Sequence, residues 1–228
     1  MSAYQLKTES STTQQRPGLL ARVARRLFPI TEPQVASVMS LGPAVSDSKK
    51  IAIYDDFFPD EEFRQIQHWA LNLPASLTRE DRDWSVYIKL DFDECLMSRM
   101  WLTDDNDLPP EAQLFVDRVR KTDMIEDDAS ILLGVYRWQG GSGMGEHSDG
   151  HTETAITFYL NDTWQKNWFG DFVFYETREA EQRGFGRAVS PFANRLVINK
   201  NTIPHKVTYS SKLSVERVTV QAFVVMAD

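Results

Sequence analysis

The chain has 228 residues, a formal net charge of −8 at pH 7 and a pI of about 5.1. Its 42% hydrophobic and 25% charged residues are typical of a globular protein with one sizeable core, and the length is marginal for two domains. The acidic charge argues against nucleic-acid and anionic membrane partners, because both reward clustered Lys and Arg. Cys95 is the only cysteine, which excludes an intrachain disulfide. Since the sequence also lacks a signal-peptide core and an apolar run of about 20 residues, we expect a cytoplasmic protein.

Residues 1–45 differ in composition from the rest of the chain. They include a polar stretch at residues 8–15 and four prolines. Residues 19–28 could form a short amphipathic helix with three arginines, which would suit a docking or membrane-surface role. We instead expect residues 1–45 to be a partly ordered extension, followed by a single domain over residues 46–228.

The first predicted elements of that domain are two strands and two helices. Ile51–Tyr54 is rich in β-forming residues and predicts a short strand, and Asp60 is predicted to cap a helix over residues 61–73. A strand is predicted next, over residues 85–90. A helix over residues 109–121 follows, with proline near its start, where proline is tolerated.

Six short runs rich in β-branched and aromatic residues follow residue 130. Turn formers such as Gly140-Gly141-Ser142-Gly143 separate them, as expected between strands. The predicted strands cover residues 131–138, 152–160, 171–175, 195–199, 205–209 and 217–226. Helices followed by closely spaced strands predict an α+β chain whose core, residues 131–226, is a two-sheet jelly roll or barrel. The helices of the N-terminal half would pack on this core.

Three of the chain's four histidines lie in this strand-rich half. His147 and Asp149 form a His-x-Asp pair, and in extended backbone the side chains at i and i+2 point to the same side. His205 comes much later, beside a proline and at the start of a predicted strand, where a barrel would bring it back to the pair. Two histidines and one carboxylate on one face of an ion form the facial triad of non-haem iron(II) oxygenases. His151 could share the strand face, but we expect it to lie at the entrance of the site.

A basic residue on the last predicted strand completes the pattern. Arg217, Thr219 and Gln221 share one face of this strand, and Val218 and Val220 share the other. A planar guanidinium with a hydroxyl two residues away suits a bidentate contact with a carboxylate. The alternative for Arg217 is a surface arginine on an edge strand.

Several motifs in this half resemble those of a known family. Residues 135–149, Val-Tyr-Arg-Trp-Gln-Gly-Gly-Ser-Gly-Met-Gly-Glu-His-Ser-Asp, resemble the approach to the iron site in prolyl-4-hydroxylase-like dioxygenases of the Fe(II)/2-oxoglutarate superfamily. Residues 157–162, Thr-Phe-Tyr-Leu-Asn-Asp, and 169–174, Phe-Gly-Asp-Phe-Val-Phe, are similar to that family's next two elements. In the second of these, Phe169 replaces a glycine and Asp171 replaces a glutamate. Further short matches continue in order, so the resemblance spans residues 131–225.

The resemblance implies a fold, a cofactor and roles for individual residues. The fold would be a double-stranded β-helix in which His147, Asp149 and His205 bind iron(II). Arg217, with Thr219, would hold the distal carboxylate of 2-oxoglutarate. Tyr136 would face the same cosubstrate. With dioxygen as second cosubstrate, the protein would oxidise a C–H bond, with hydroxylation favoured, and release succinate and CO2.

The substrate does not follow from the resemblance, because residues 1–130 match none of the family's motifs. The acidic chain and the aromatic tract at residues 164–169 favour a small metabolite or an amino-acid-type substrate. That tract would form a rim or lid over the site, or else simply pack in the core. Two alternatives stay open: a peptidyl or carrier-bound prolyl or amino-acid hydroxylase, and a cupin-like metalloenzyme that does not use 2-oxoglutarate.

Overall fold

A computed structural model of the protein describes residues 50–78, 95–104, 107–149, 152–200 and 202–225. The predicted N-terminal helix, the domain boundary near residue 45, the strand over residues 85–90 and His151 lie outside the described residues. No described helix has the length and apolar character needed to cross a membrane.

The helices of the described residues are α1 (Asp60–Asn72), α2 (Pro110–Val119) and α3 (Arg178–Gln182), and a 3-10 turn covers Lys166–Trp168. The strands in the same ranges are β1 (Ile51–Tyr54), β2 (Ser76–Leu77), β3 (Cys95–Met97), β4 (Trp101–Leu102), β5 (Ile131–Trp138), β6 (Met144–His147), β7 (Thr152–Tyr159), β8 (Phe172–Phe174), β9 (Arg187–Val189), β10 (Leu196–Lys200), β11 (His205–Val207) and β12 (Arg217–Val225).

Helix α1 begins one residue earlier than predicted, so the prediction that Asp60 caps it is wrong. Pro59 is the N-cap, and its carbonyl oxygen accepts the first helical hydrogen bond, from the N–H of Phe63 at 2.9 Å. Proline has no side-chain acceptor, so no side chain caps the helix. The acidic side chains of Asp60, Glu61 and Glu62 instead lie in the first turn, where the positive end of the helix dipole favours them.

The strands form two antiparallel sheets within the described residues. The larger has the order β1-β10-β7-β12-β5-β3-β2, with β4 also paired to β5, and the smaller has the order β6-β11-β8-β9. The predicted α+β jelly roll is therefore confirmed. Strands β1 and β5 have the predicted bounds, and the other five strands predicted after residue 130 agree with theirs to within two residues.

Alternate residues of β12 face two different cores. Its outward residues Val218, Val220, Ala222 and Val224 pack in one apolar cluster with residues of the helices that include Phe63 and Phe115. The inward residues Arg217, Thr219 and Gln221 face the space between the sheets, as the alternation predicted. Arg217 and Thr219 are both buried, so Arg217 is not a surface arginine.

Two apolar clusters occupy the space between the sheets, one on each side of the inward face of β12. Tyr159 and Val197 of the larger sheet pack with Phe172 and Phe174 of the smaller sheet in one cluster. The second cluster joins buried residues of β3 and β5, with Met144 of β6 packed against it; these residues are Cys95, Met97, Tyr136 and Trp138. The polar face of β12 therefore lies between two apolar walls, an arrangement suited to a polar ligand.

Candidate active site

The three predicted metal ligands meet at the ends of two paired strands. His147 ends β6 and pairs with His205, which begins β11, and Asp149 follows two residues after His147. Nε2 of His147 lies 3.7 Å from Oδ1 of Asp149, and Nε2 of His205 lies 3.4 Å from Oδ2 of the same carboxylate. One donor atom from each residue lies within 4.8 Å of the other two. The structure thus brings together all three residues, as predicted.

The hydrogen bonds of the two imidazoles direct their second nitrogens toward Asp149. Nδ1 of His147 lies 2.8 Å from the carbonyl oxygen of Gly145, and Nδ1 of His205 lies 2.9 Å from that of Ile203. Because a carbonyl oxygen can only accept, each ring in its neutral form carries the proton on Nδ1 and leaves a lone pair on Nε2. Oδ2 of Asp149 is buried and has no hydrogen-bond partner among the described residues. Lone pairs held this close repel one another unless a cation lies between them, so this donor set fits a metal ion.

His205 is the most buried of the three residues, with 5% of its surface exposed. Its ring lies 5.1 Å from that of Phe172 and 4.3 Å from that of His147. Burial lowers the pKa of His205 from its ordinary value, although the negative charge of Asp149 opposes this shift. A lowered pKa favours the neutral imidazole, which is the form that binds metals.

Arg217 is held inside the jelly roll by contacts at its guanidinium. Its Nη1 donates to the carbonyl oxygen of Gly170 at 2.8 Å, and its Cζ lies 5.3 Å from the ring centroid of Trp138. Its Nε is buried and has no hydrogen-bond partner among the described residues. An unpaired edge of a buried guanidinium matches the geometry of a carboxylate, which can accept two parallel hydrogen bonds.

A row of hydroxyl groups crosses β12 at Thr219, two residues after Arg217. Thr219 pairs with Tyr136 of β5 on one side and with Tyr159 of β7 on the other, so all three share the inward face. Oγ1 of Thr219 is buried without a partner among the described residues, and the Tyr136 hydroxyl lies 3.9 Å from the sulfur of Met100. Burial raises the pKa of Tyr159 to about 12, with the positive charge of Arg217 opposing the shift, so the phenol stays a hydrogen-bond donor.

Tyr159 was not among the predicted site residues, although two features of the sequence pointed to it. It belongs to the segment 157–162 that resembles the family's strand after the His-x-Asp pair. The alternation of β7 also directs Tyr159 to the same face as Thr157.

The polar inward face continues beyond Thr219 to Gln221, as the alternation predicted, and to Thr157 and Asn199, which the sequence did not predict. Oγ1 of Thr157 donates to Oε1 of Gln221 at 3.0 Å, across β7 and β12. Asn199 of β10 is 1% exposed, and its Nδ2 has no hydrogen-bond partner among the described residues. An amide buried without a partner commonly marks a place where water or a ligand binds.

The aromatic tract at residues 164–169 packs at the Arg217 end of the site. Trp164 is buried, and its indole N–H donates to the carbonyl oxygen of Phe169 at 2.8 Å. Its ring also lies close to Gly170, where a Cβ atom would be 3.1 Å from it. Packing in the core therefore accounts for Trp164, whereas the Phe169 side chain is 57% exposed.

A comparison with protein families identifies the strand-rich half of the chain. Residues 133–225 match the model of the 2OG-Fe(II) oxygenase superfamily. No curated protein sequence matches the chain significantly.

Solved structures share the fold at low sequence identity. A prolyl-4-hydroxylase from Pseudomonas putida has a TM-score of 0.56 and 13% identity, and the match covers 78% of this chain and 94% of that one. A prolyl hydroxylase from Trichoplax adhaerens, in complex with a hypoxia inducible factor oxygen degradation domain peptide fragment, has a TM-score of 0.54 and 15% identity, with 78% and 84% covered. HygX from Streptomyces hygroscopicus, with nickel and 2-oxoglutarate bound and in a second structure also hygromycin B, has a TM-score of 0.52 and 12% identity, with 78% and 83% covered.

At these identities the solved structures establish the fold, which is the predicted jelly roll, or double-stranded β-helix. The match to the family model indicates the chemistry that this fold carries. Over residues 133–225 the protein thus matches the 2OG-Fe(II) oxygenase superfamily, and its fold and donor set are those of a 2-oxoglutarate-dependent dioxygenase that uses iron(II), 2-oxoglutarate and dioxygen.

Proposed function

We propose that this dioxygenase hydroxylates a C–H bond of a small metabolite or amino-acid-type substrate and releases succinate and CO2. His147, Asp149 and His205 would hold the iron, and Arg217 would hold 2-oxoglutarate. The observation that carries the proposal is the convergence of three lone-pair donor atoms within 4.8 Å, in a jelly roll that also buries an arginine with an unpaired Nε. We further propose a cytoplasmic location, because the single cysteine is a buried thiol.

Bound iron(II) would supply the redox chemistry of dioxygen activation, and the protein supplies binding, orientation and exclusion of water. The backbone carbonyls of Gly145 and Ile203 fix the tautomers of the two histidines, so that Nε2 of each ring is free to ligate. The carboxylate of Asp149 would neutralise part of the metal charge and occupy a ligand position.

The cosubstrate would lie along the inward face of β12. Arg217 would bind the distal carboxylate of 2-oxoglutarate through its Nε edge, because Nη1 is already engaged by Gly170. The hydroxyl of Thr219 and the phenols of Tyr136 and Tyr159 lie in the adjacent row, where they would donate to the same ligand. A buried carboxylate needs such donors, because burial without partners is costly.

The polar groups beyond that row support a small polar substrate. Asn199, Gln221 and Thr157 present amide and hydroxyl groups on the inward face of the larger sheet. Proteins of this fold bind different kinds of molecule, since the Trichoplax protein binds a peptide and HygX binds hygromycin B. A peptidyl or carrier-bound amino-acid hydroxylase is therefore the second candidate.

The test is oxygen labelling during a substrate screen. The iron-loaded protein would be supplied with 2-oxoglutarate, labelled dioxygen and chloride, and with panels of polar metabolites, free amino acids and short peptides. We expect a polar metabolite or amino acid to stimulate succinate formation, with one labelled oxygen atom in succinate and the other in the product. Asp149 would occupy the ligand position that chloride would need, so we expect no chlorinated product.

Three results would contradict parts of the proposal. A chlorinated product from the unmodified protein would show that Asp149 is not an iron ligand. Stimulation by peptides alone would favour the second candidate. Substrate oxidation that does not consume 2-oxoglutarate would remove Arg217 from its proposed role.

A further inference from the structure

Asn161, two residues after β7 ends, binds the backbone on both sides of Arg217. Its Nδ2 donates to the carbonyl oxygen of Glu216 at 2.7 Å. Its Oδ1 accepts from the backbone N–H of Val218 at 2.8 Å. One side-chain amide therefore fixes the residues immediately before and after the arginine.

The side chain of Asn161 takes the place of backbone hydrogen bonds that β7 does not make to the start of β12. Arg217 is the first residue of β12, and on one side it pairs with Trp138 of β5. On the other side the ladder with β7 ends, where the N–H of Leu160 donates to the carbonyl oxygen of Val218 at 3.0 Å. The carbonyl oxygen of Leu160 accepts instead from Gln67 of α1, at 2.6 Å. The Asn161 amide supplies the acceptor that Val218 would otherwise lack.

The side chain of Glu216 is also anchored, so the start of β12 is held firmly. Its carboxylate accepts from Nε of Arg137 at 2.7 Å and from Nε2 of Gln139. At the other end of the Arg217 side chain, the carbonyl oxygen of Gly170 accepts a hydrogen bond from Nη1. A free arginine side chain has high rotamer entropy, and fixing both ends before a ligand arrives reduces the ordering cost of binding.

We propose that Asn161 is a positioning residue for 2-oxoglutarate. It fixes the start of β12 so that the unpaired Nε edge of Arg217 meets the distal carboxylate, without touching the cosubstrate itself. This inference rests on the proposed role of Arg217. It predicts that loss of the Asn161 amide weakens the binding of 2-oxoglutarate and leaves the metal site unchanged.

The test is calorimetric titration of 2-oxoglutarate into the full-length protein loaded with manganese(II), a redox-inert substitute for iron(II). For Asn161→Ala we expect a Kd about 10-fold higher, at the lower end of what supporting residues contribute. We expect Asn161→Asp to fall between the alanine variant and the wild type, because it keeps the acceptor for Val218 and loses the donor to Glu216. The manganese affinity should be unchanged in both variants. In turnover, the KM for 2-oxoglutarate should rise with kcat at saturation unchanged.

Asn194 provides a matched control, because it makes the same kind of contact elsewhere. Its Oδ1 accepts from the N–H of Phe58 at 2.9 Å and its Nδ2 donates to the carbonyl oxygen of Phe58 at 2.7 Å. Its φ is 57°, so Asn194→Gly removes the amide without adding backbone strain. This variant should lose stability but keep the wild-type affinity for 2-oxoglutarate.

An Arg217→Ala variant separates the two ways in which the inference could fail. If Arg217→Ala weakens binding but Asn161→Ala weakens it no more than Asn194→Gly does, the positioning role is overturned. If Arg217→Ala itself binds 2-oxoglutarate as the wild type does, the proposed role of Arg217 is wrong and that of Asn161 fails with it. A loss of manganese affinity in Asn161→Ala would also overturn the inference, because the damage would then extend beyond Arg217.

Discussion

Burial determines the chemistry of individual residues, and Cys95 is the simplest case. Its side chain is 3% exposed, and burial raises the pKa of the thiol to about 12, although the positive charge of Arg217 opposes the shift. Cys95 pairs with Trp138, which in turn pairs with Arg217. The accessibility of the Cys95 thiol therefore shows whether the Arg217 end of the site is open to solvent.

We predict that Cys95 is inert in the native protein. At pH 8 a thiol with this pKa has on the order of 1000-fold less thiolate than a free cysteine, and burial also blocks the reagent. Labelling with a thiol reagent, followed by absorbance, should therefore be very slow until urea unfolds the protein. The unfolded chain is the internal control. Rapid labelling of the folded protein would show that this end of the jelly roll opens to solvent.

At residue level, the sequence predicted correctly which side chains would meet where chemistry and alternation agreed. His147, Asp149 and His205 have side chains whose chemistry is unusual in a core, and the structure brings them together. Asn199 and Asn161 were missed for a different reason. The role of Asn161 depends on which backbone groups of β12 remain unpaired, and the position of Asn199 depends on the pairing of β10 with β7; no local pattern carries that information.

Close packing between connecting segments is the main feature at the level of elements. The turn between β5 and β6 lies against the segment that precedes β12. A Cβ atom at Gly143 would lie 2.8 Å from the backbone nitrogen of Tyr209 and 2.9 Å from its Cα. The backbone would have to move to admit this Cβ atom. Gly143 directly precedes β6, the strand that ends at His147.

We predict that Gly143→Ala destabilises the protein by about 1–3 kcal/mol, the usual cost of overpacking. Urea unfolding would measure the loss. Gly184→Asn is the control, because no atom lies within 4 Å of a Cβ there, and asparagine tolerates its φ of 70°. The control should lose much less. Equal stability of Gly143→Ala and the wild type would mean that the two segments separate easily.

The strand predictions show which elements a sequence can reveal. Runs of β-branched and aromatic residues predicted β5, β7, β8, β10, β11 and β12. Strand β9 was missed because it is three residues long and mostly exposed, so it has little apolar pattern. Strand β6 was missed because Met144-Gly-Glu-His147 combines glycine with two polar residues. Its extended shape comes from pairing with β11, a contact between distant parts of the chain.

At the scale of the whole molecule, one face of the larger sheet contributes stability and the other carries the candidate site. The outer face buries the apolar residues of α1 and α2, which include Phe63, Ile66 and Phe115. The inner face carries the polar groups of β12 between two smaller apolar clusters. Burial of the outer face contributes stability that does not depend on a ligand, so the inner face can retain unpaired polar atoms for binding.

We propose that one metal site, built from His147, Asp149 and His205, gives this fold its function. Titration of manganese(II) into the wild type, His205→Ala and His68→Ala, with the bound metal measured directly, tests it without any knowledge of the substrate. His68 is the matched control, because it is an exposed histidine on α1.

We predict one high-affinity site per chain in the wild type and in His68→Ala. In His205→Ala the affinity should fall by about 100-fold or more, because two remaining ligands cannot fix a facial geometry. Retention of the wild-type affinity by His205→Ala, with the protein folded by circular dichroism, would show that His205 is not a metal ligand.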